Sequence, residues 1–325
     1  MHVVHIVPQA LGCRNLLIAA VCLLMSGVGC APLAVTKRVG QQPLPLGQRE
    51  SLRIVAIGDT GLDNDAMKAL RKSIKAEKKD LILALGDLVY PEAPPCPEGH
   101  LTPDATALLD ESIGATLLGL GAPVLLVLGN HDVRHGRRDP AREACILRYA
   151  EQHPDLVMPS LHWVLDVGVI SITGLNTNAL DDSQAMTAAR ALREAKGWTM
   201  LIGHHVLKTY HDKDDEDIVR PWLERHGLRP EIFLNAHAHL LQSGTYNGVI
   251  GLTSGSAALP RERPGCPPGC EPGQRFGSSL SGYAILDVTA EQFVVEFYDN
   301  KGNALHRELH PRPARRSKVS RTEAN

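Results

Sequence analysis

From residue 51 to residue 130 the chain alternates short stretches bare of polar side chains with longer amphipathic ones. Residues 52–57, interrupted only by Arg53, and the continuously apolar 81–85 and 124–128 show the pattern of strands buried on both faces of a parallel sheet. Between them, residues 64–79 and 104–120 show helical spacing, so the fold class is α/β. The later half reads as strands joined by short turns, in "LHWVLDVGVISITGL", "GVIGLTSGS", "GYAILDV" and "QFVVEFY", interrupted by "TMLIGH" and "EIFLNAHAH". These predict a second, largely antiparallel sheet, and two face-to-face sheets with helices outside would account for one domain over residues 51–300.

The ends of the chain read differently. Residues 1–30 are expected to be a signal peptide, with Arg14 ahead of the short apolar run "NLLIAAVCLLMSGVGC". Its end resembles a bacterial lipoprotein signal with Cys30 as the lipidated residue, although Gly27 replaces the usual leucine; ordinary secretory cleavage nearby stays open. Either way an exported chain is expected, periplasmic or held at the cell envelope through a lipid on Cys30. Residues 31–50 lack periodicity and read as a linker, and residues 301–325 as a partly disordered tail. In an oxidising compartment Cys96, Cys145, Cys266 and Cys270 form an even set with three possible pairings; the tight "CPPGC" loop favours Cys266 with Cys270 and leaves Cys96 for Cys145.

Charge changes the picture little: 34 Lys and Arg against 36 Asp and Glu point to neither nucleic acid nor an anionic surface as partner. The 15 histidines matter more, because neutral imidazole is a common metal ligand. Several apolar runs end alike, on a small residue followed by a potential ligand: "IVAIGD" on Asp59, "LILALGD" on Asp87, "VLLVLGN" on Asn130, "TMLIGH" on His204, and "IFLNAHAH" on His237 and His239. Polar side chains at the carboxyl ends of buried strands converge on one crevice. Two carboxylates, an amide oxygen and three imidazoles suit first-row cations, and a carboxylate can bridge a pair of them. Asp59-Thr60-Gly61 is also half of an aspartic-protease dyad, but that chemistry needs a second such triplet and the chain has none.

Taken together, Asp59-Thr60-Gly61, Gly86-Asp87-Leu88-Val89-Tyr90, Gly129-Asn130-His131-Asp132, Gly203-His204 and Ala236-His237-Ala238-His239 resemble the motifs of the metallophosphoesterases, or calcineurin-like phosphoesterases, in their purple acid phosphatase branch. Gly61 stands where most members carry a ligand histidine, and Tyr90 appears in the next motif, a paired change typical of that branch; Ala236 departs from the usual glycine. The resemblance implies an αββα sandwich of the metallo-dependent phosphatase type holding two metal ions. Asp59, Tyr90 and His239 would take Fe(III), Asn130, His204 and His237 would take Fe(II), Zn or Mn, and Asp87 would bridge. It further implies hydrolysis of small phosphate monoesters by a metal-bound hydroxide, with His131 and His211 as candidate proton donors, ahead of His205 and His135. A phosphodiesterase or nucleotide hydrolase on the same scaffold is the alternative, and a lipid-anchored, non-catalytic binding protein the alternative of a different class. Tyr90 could instead be an aromatic packed under the proline-rich loop "YPEAPPCPEGH". Arg134, Arg137, Arg138 and Arg142 in "RHGRRDPAR" suit phosphate binding or a solvated loop, and the acidic run at 214–217 suits a helix start.

Overall fold

The computed structural model describes residues 46–134, 137–208, 218–261 and 272–312. The apolar runs form its frame: β1 (Ser51–Ile57), β2 (Leu81–Leu85) and β3 (Val124–Val127) lie parallel and adjacent, with the short β4 (Leu156–Val157) beyond β3. Alternate residues explain why, past Arg53 near the start of β1, no polar position interrupts them. Val55, Ile57, Ile82, Ala84, Val124 and Leu126 pack beneath α1 (Asp65–Ala76), α2 (Pro103–Leu109) and, past the short α3 (Ala115–Leu117), α4 (Pro140–Gln152). Their neighbours Ile54, Ala56, Leu83, Leu85 and Leu125 face the opposing sheet. Both faces are dry, so both must be apolar.

The opposing sheet is built from β5 (Trp163–Asp166), β6 (Ile170–Gly174), β7 (Trp198–Ile202), β8 (Ile232–Asn235), β9 (Leu241–Tyr246), β10 (Val249–Ser254) and β11 (Gln274–Ser278), in the order β11-β9-β10-β8-β7-β6-β5. Trp163, Ile172, Trp198, Met200, Ile202 and Leu234 fill the space between the sheets. Leu175, Leu201 and Phe233 sit under α5 (Asp182–Glu194) and α6 (Val219–Arg225) on the outside. The expected αββα order of layers is therefore observed.

Several expectations are corrected. The second sheet is mixed rather than largely antiparallel: β6, β7, β8 and β10 run parallel, because α5 and α6 serve as outer crossovers between successive strands. The late strands β12 (Gly282–Thr289) and β13 (Gln292–Asp299) belong to the first sheet, where β12 pairs antiparallel with β1, and β14 (Ala304–Pro311) extends that sheet within the segment read as a tail. The helix expected over 104–120 is broken by a wider π-type turn, Asp110–Gly114, where the hydroxyls of Ser112 and Thr116 donate back to main-chain carbonyls of the preceding turn. At the start of the domain, Leu46 is already buried and the Arg49 N–H donates to Val167 O at 2.8 Å, so the fold begins a few residues before Ser51.

Cys96 and Cys145 form a disulfide, as expected. The signal segment with Cys30, His135, His211, the acidic run, Cys266, Cys270 and residues 313–325 lie outside the described residues.

Candidate metal centre

The carboxyl ends of β1, β2 and β3 from one sheet and of β7 and β8 from the other meet at one end of the sandwich, and there the structure gathers Asp59, Asp87, Tyr90, Asn130, His131, His204, His237 and His239. The turns that aim them are strained. Asp59, Asp87, His237 and His239 all have positive φ, between 51° and 65°, a region costing side-chain-bearing residues about 1–3 kcal/mol each and found mainly where function requires it. Close approach of the two loops after β2 and β3 explains one of the glycines: a Cβ on Gly129 would stand 2.2 Å from Asp87 N.

Asp87 divides the donors into two groups. Its Oδ2 accepts from the Tyr90 hydroxyl at 2.9 Å, and that hydroxyl also lies 3.1 Å from Asp59 Oδ1 and 3.5 Å from His239 Nε2. Its Oδ1 lies 3.3 Å from His204 Nε2 and accepts the His131 N–H at 2.9 Å. Asn130 Oδ1 stands 2.9 Å from both His204 Nε2 and His237 Nδ1, and those two ring nitrogens are 3.0 Å apart. Donors bound to one first-row cation at about 2.0–2.2 Å sit roughly 3 Å from each other, which these spacings match.

Protonation sharpens the fit. Burial holds the His204 ring down at about 4, so it is neutral near pH 7 and carries one proton. That proton is on Nδ1, because Nδ1 faces the Leu85 carbonyl at 2.9 Å and a carbonyl can only accept. Nε2 therefore turns a lone pair on an Asn130 oxygen, an Asp87 oxygen and a second imidazole. His239 repeats the device: burial, then Arg261, hold it at about 4, and its Nδ1 donates to Leu259 O at 2.6 Å, leaving the Nε2 lone pair toward Asp59 and Tyr90. Lone pairs gathered this tightly repel one another unless a cation lies among them, so the residues present fit metal ions. The carboxylates agree: burial, then Asp87, push Asp59 well up, whereas at Asp87 burial is outweighed by His204 and His131 and the group is held down. Burial, then Asp59 and Asp87, push the Tyr90 phenol far up, so a strongly charged cation is what could draw off its proton.

The exchange of Gly61 for histidine acquires a steric reason. A Cβ on Gly61 would stand 2.6–2.7 Å from the Val89 backbone, so the segment that delivers Tyr90 occupies the space a side chain at 61 would need. Ala236 is accommodated: its methyl points at Gly58, whose own Cβ would collide with it at 2.3 Å.

Sequence reasoning missed the supports. Thr177 Oγ1, at the end of β6, accepts from the backbone N–H of His204 and of His205, each at 3.2 Å, and sits 2.8 Å from His205 Nδ1. Asp132 is fully buried and accepts from Leu88 N, Val89 N and Gly129 N, tying together the loops that carry Tyr90 and Asn130. The signal for Thr177 was present in "ITGLNTN", one more apolar run closing on polar residues.

Comparison with known proteins agrees with this geometry. The sequence model of the family described as calcineurin-like phosphoesterase matches residues 52–241, more than half of the chain and the stretch that carries every donor named above. The chain belongs to that family. As a calcineurin-like phosphoesterase it is a metal-dependent hydrolase of phosphoric esters, and its likeness is to the purple acid phosphatase branch. It is 25% identical over 321 residues to purple acid phosphatase 4 of Arabidopsis thaliana, covering 88% of this chain and 91% of that protein. Among solved structures, the purple acid phosphatase PPD1 from yellow lupin seeds superposes with a TM-score of 0.60 at 14% identity, over 84% of this chain and 56% of that one. GAP50, the anchor in the inner membrane complex of Plasmodium, superposes with a TM-score of 0.55 at 14% identity, over 80% of this chain and 88% of that one. The two solved structures speak for the fold alone.

Proposed function

We propose that this phosphoesterase holds two metal ions and hydrolyses small phosphate monoesters in the manner of an acid phosphatase. The carrying observation is the division of labour at Asp87, whose two oxygens face different donor groups, as a bridging carboxylate requires. On this reading Asp59, Tyr90 and His239 hold Fe(III), whose charge suits a phenolate, and Asn130, His204 and His237 hold Fe(II), Zn or Mn. Bound there, two cations supply Lewis acidity toward the phosphoryl oxygens and activation of water.

The protein's own residues do the rest. Leu85 O and Leu259 O keep His204 and His239 in the Nδ1–H form, so that each presents Nε2. As the imidazolium, His131 hands its Nε2 proton to the leaving alkoxide, while its Nδ1–H stays on the Pro91 carbonyl at 2.6 Å and fixes the ring. His211 is retained as a second proton donor on the strength of the sequence alone, and so are export and a lipid on Cys30. A binding protein without catalysis, which the fold also accommodates, would not need a complete donor set in orienting hydrogen bonds.

Metal analysis of the purified chain, joined to a screen of phosphate monoesters and diesters, tests the proposal. About two first-row metal ions per chain with monoester turnover supports it. Faster diester turnover would reassign the substrate class, and hydrolysis undiminished after metal removal would reject the mechanism.

A further inference from the structure

Of the four arginines that follow Gly-Asn-His-Asp, Arg142 neither faces the candidate site as a phosphate ligand nor lies in solvent. It stands on the first turn of α4 with 17% of its side chain exposed, and its guanidinium reaches back to the proline-rich segment. One nitrogen pairs with Glu92 at 3.1 Å, another donates to Ala93 O, and Nε pairs with Asp139 at 3.2 Å. Asp139 is itself the N-cap of α4, accepting from Ala141 N and Arg142 N, so the clamp is rooted in the helix start.

The clamped segment grips His131 in turn. The Pro91 carbonyl accepts from His131 Nδ1, and the Ala93 N–H donates to His131 O at 3.0 Å. The Tyr90 ring packs against the imidazole with centroids 4.7 Å apart. Farther along, Cys96 N donates to Ala141 O at 3.0 Å and the Cys96–Cys145 disulfide joins the segment to α4 again. Residues 91–96 thus form a strap with its near end held by Arg142 and its far end by the disulfide.

We propose that Arg142 is a positioning residue: by holding residues 92 and 93 to the start of α4, it fixes the strap that sets the ring orientation and tautomer of His131 beside the metal donors. Only a guanidinium offers N–H groups in three fixed in-plane directions, which is what a carbonyl and two carboxylates on different sides demand. A lysine could satisfy part of this set. The consequence for rate rests on the phosphoesterase reading; the strap and the tautomer do not.

The test uses the full ¹⁵N-labelled chain in metal-free and Zn-loaded forms. Imidazole ¹⁵N spectra, with the His131 signal identified by its loss in His131→Asn, read the tautomer, and amide exchange reads the strap. In Arg142→Ala the Nδ1–H form of His131 should give way to a mixture of tautomers. Exchange at Ala93 should rise about tenfold or more while β1–β3 stay protected. With substrate, kcat should fall roughly 10–100-fold with KM within about twofold. Glu92→Gln, which removes a charge without opening a cavity, should show the same changes in smaller degree, and Arg142→Lys should restore part of the loss. Unchanged His131 and Ala93 signals in Arg142→Ala, or a loss of protection spread evenly over β1–β3, would overturn the proposal, as would a released tautomer with unaltered kcat. A wild type inert toward every ester rejects the enzymatic reading instead, and the spectra still decide the strap.

Discussion

Two clusters in this protein are rich in histidine and carboxylate, and they are put to opposite uses. At the candidate metal centre, main-chain carbonyls take the Nδ1 protons of His204 and His239, and the remaining ring nitrogens converge with Asp59, Asp87 and Asn130. At the far edge of the sandwich, His306, Glu308 and His310 alternate along one face of β14 and meet Ser243 of β9 and Arg275 of β11 across the gap between the sheets. There each imidazole directs Nε2 at Glu308, His306 to Oε1 and His310 to Oε2, both at 3.0 Å, and Arg275 supplies the cation at 3.3 Å. The rings lie flat on Phe276 and Phe293. The first cluster aims lone pairs at a common point, while the second spends its donors on one carboxylate and fastens two sheets. Composition does not distinguish them; the partner of the other ring nitrogen does.

The comparison can be broken at four places. Asp87→Asn should remove the bridge, with metal content falling by half or more and kcat/KM on the order of 10³-fold lower; near-normal turnover would dissolve the distinction between the clusters. Tyr90→Phe should cost about 10²-fold and abolish any visible absorption of the iron-loaded protein with the fold intact by circular dichroism. A colourless iron-loaded wild type would instead return Tyr90 to a packing role. Thr177→Val should loosen the turn carrying His204 and weaken metal binding roughly 10–100-fold in a competitive chelation assay, with some loss of thermal stability as the main-chain N–H groups of His204 and His205 lose their acceptor.

Glu308→Gln should act on the second cluster alone. It should leave metal and kcat alone but lower stability by about 1–3 kcal/mol in denaturant unfolding, because Arg275 loses its charged partner. The pH dependence follows from the sign. Burial opposes ionisation of Glu308, but hydrogen bonds from His310, Ser243 and His306 outweigh it and hold the carboxyl at about 2, below its ordinary 4.5. A depressed carboxyl stabilises the fold above about 4.5 and loses that contribution as pH falls toward about 2. Wild type and Glu308→Gln should therefore differ at neutral pH and converge in strong acid. A gap that persists below pH about 2 would show that the effect is one of packing.

Most of the candidate metal centre was legible along the chain because strands buried on both faces carry few polar residues until they end. The first polar side chain after each run is therefore at the crevice, which is how Asp59, Asp87, Asn130, His204, His237 and His239 stand out. Thr177 was passed over since a strand ending in Asn-Thr-Asn resembles an ordinary turn. The later strands were assigned to the wrong sheet for a related reason. "GYAILDV" is equally apolar beside β1 or beside β10, and strand periodicity carries no information about which edge a strand joins.

By itself, then, the sequence determined the buried strands, the small residues at their ends and the chemical types of the donors, all of them local requirements of covering an apolar run and turning out of it. Tertiary structure decided what depends on contacts between distant segments. It set which carbonyl takes the proton of each imidazole, why Gly61 has no room for a side chain beside Val89, and whether an arginine faces phosphate or clamps a loop. Each of these depends on distances of about 3 Å between residues tens to hundreds of positions apart, and a hydrogen bond or a metal site exists only at such distances.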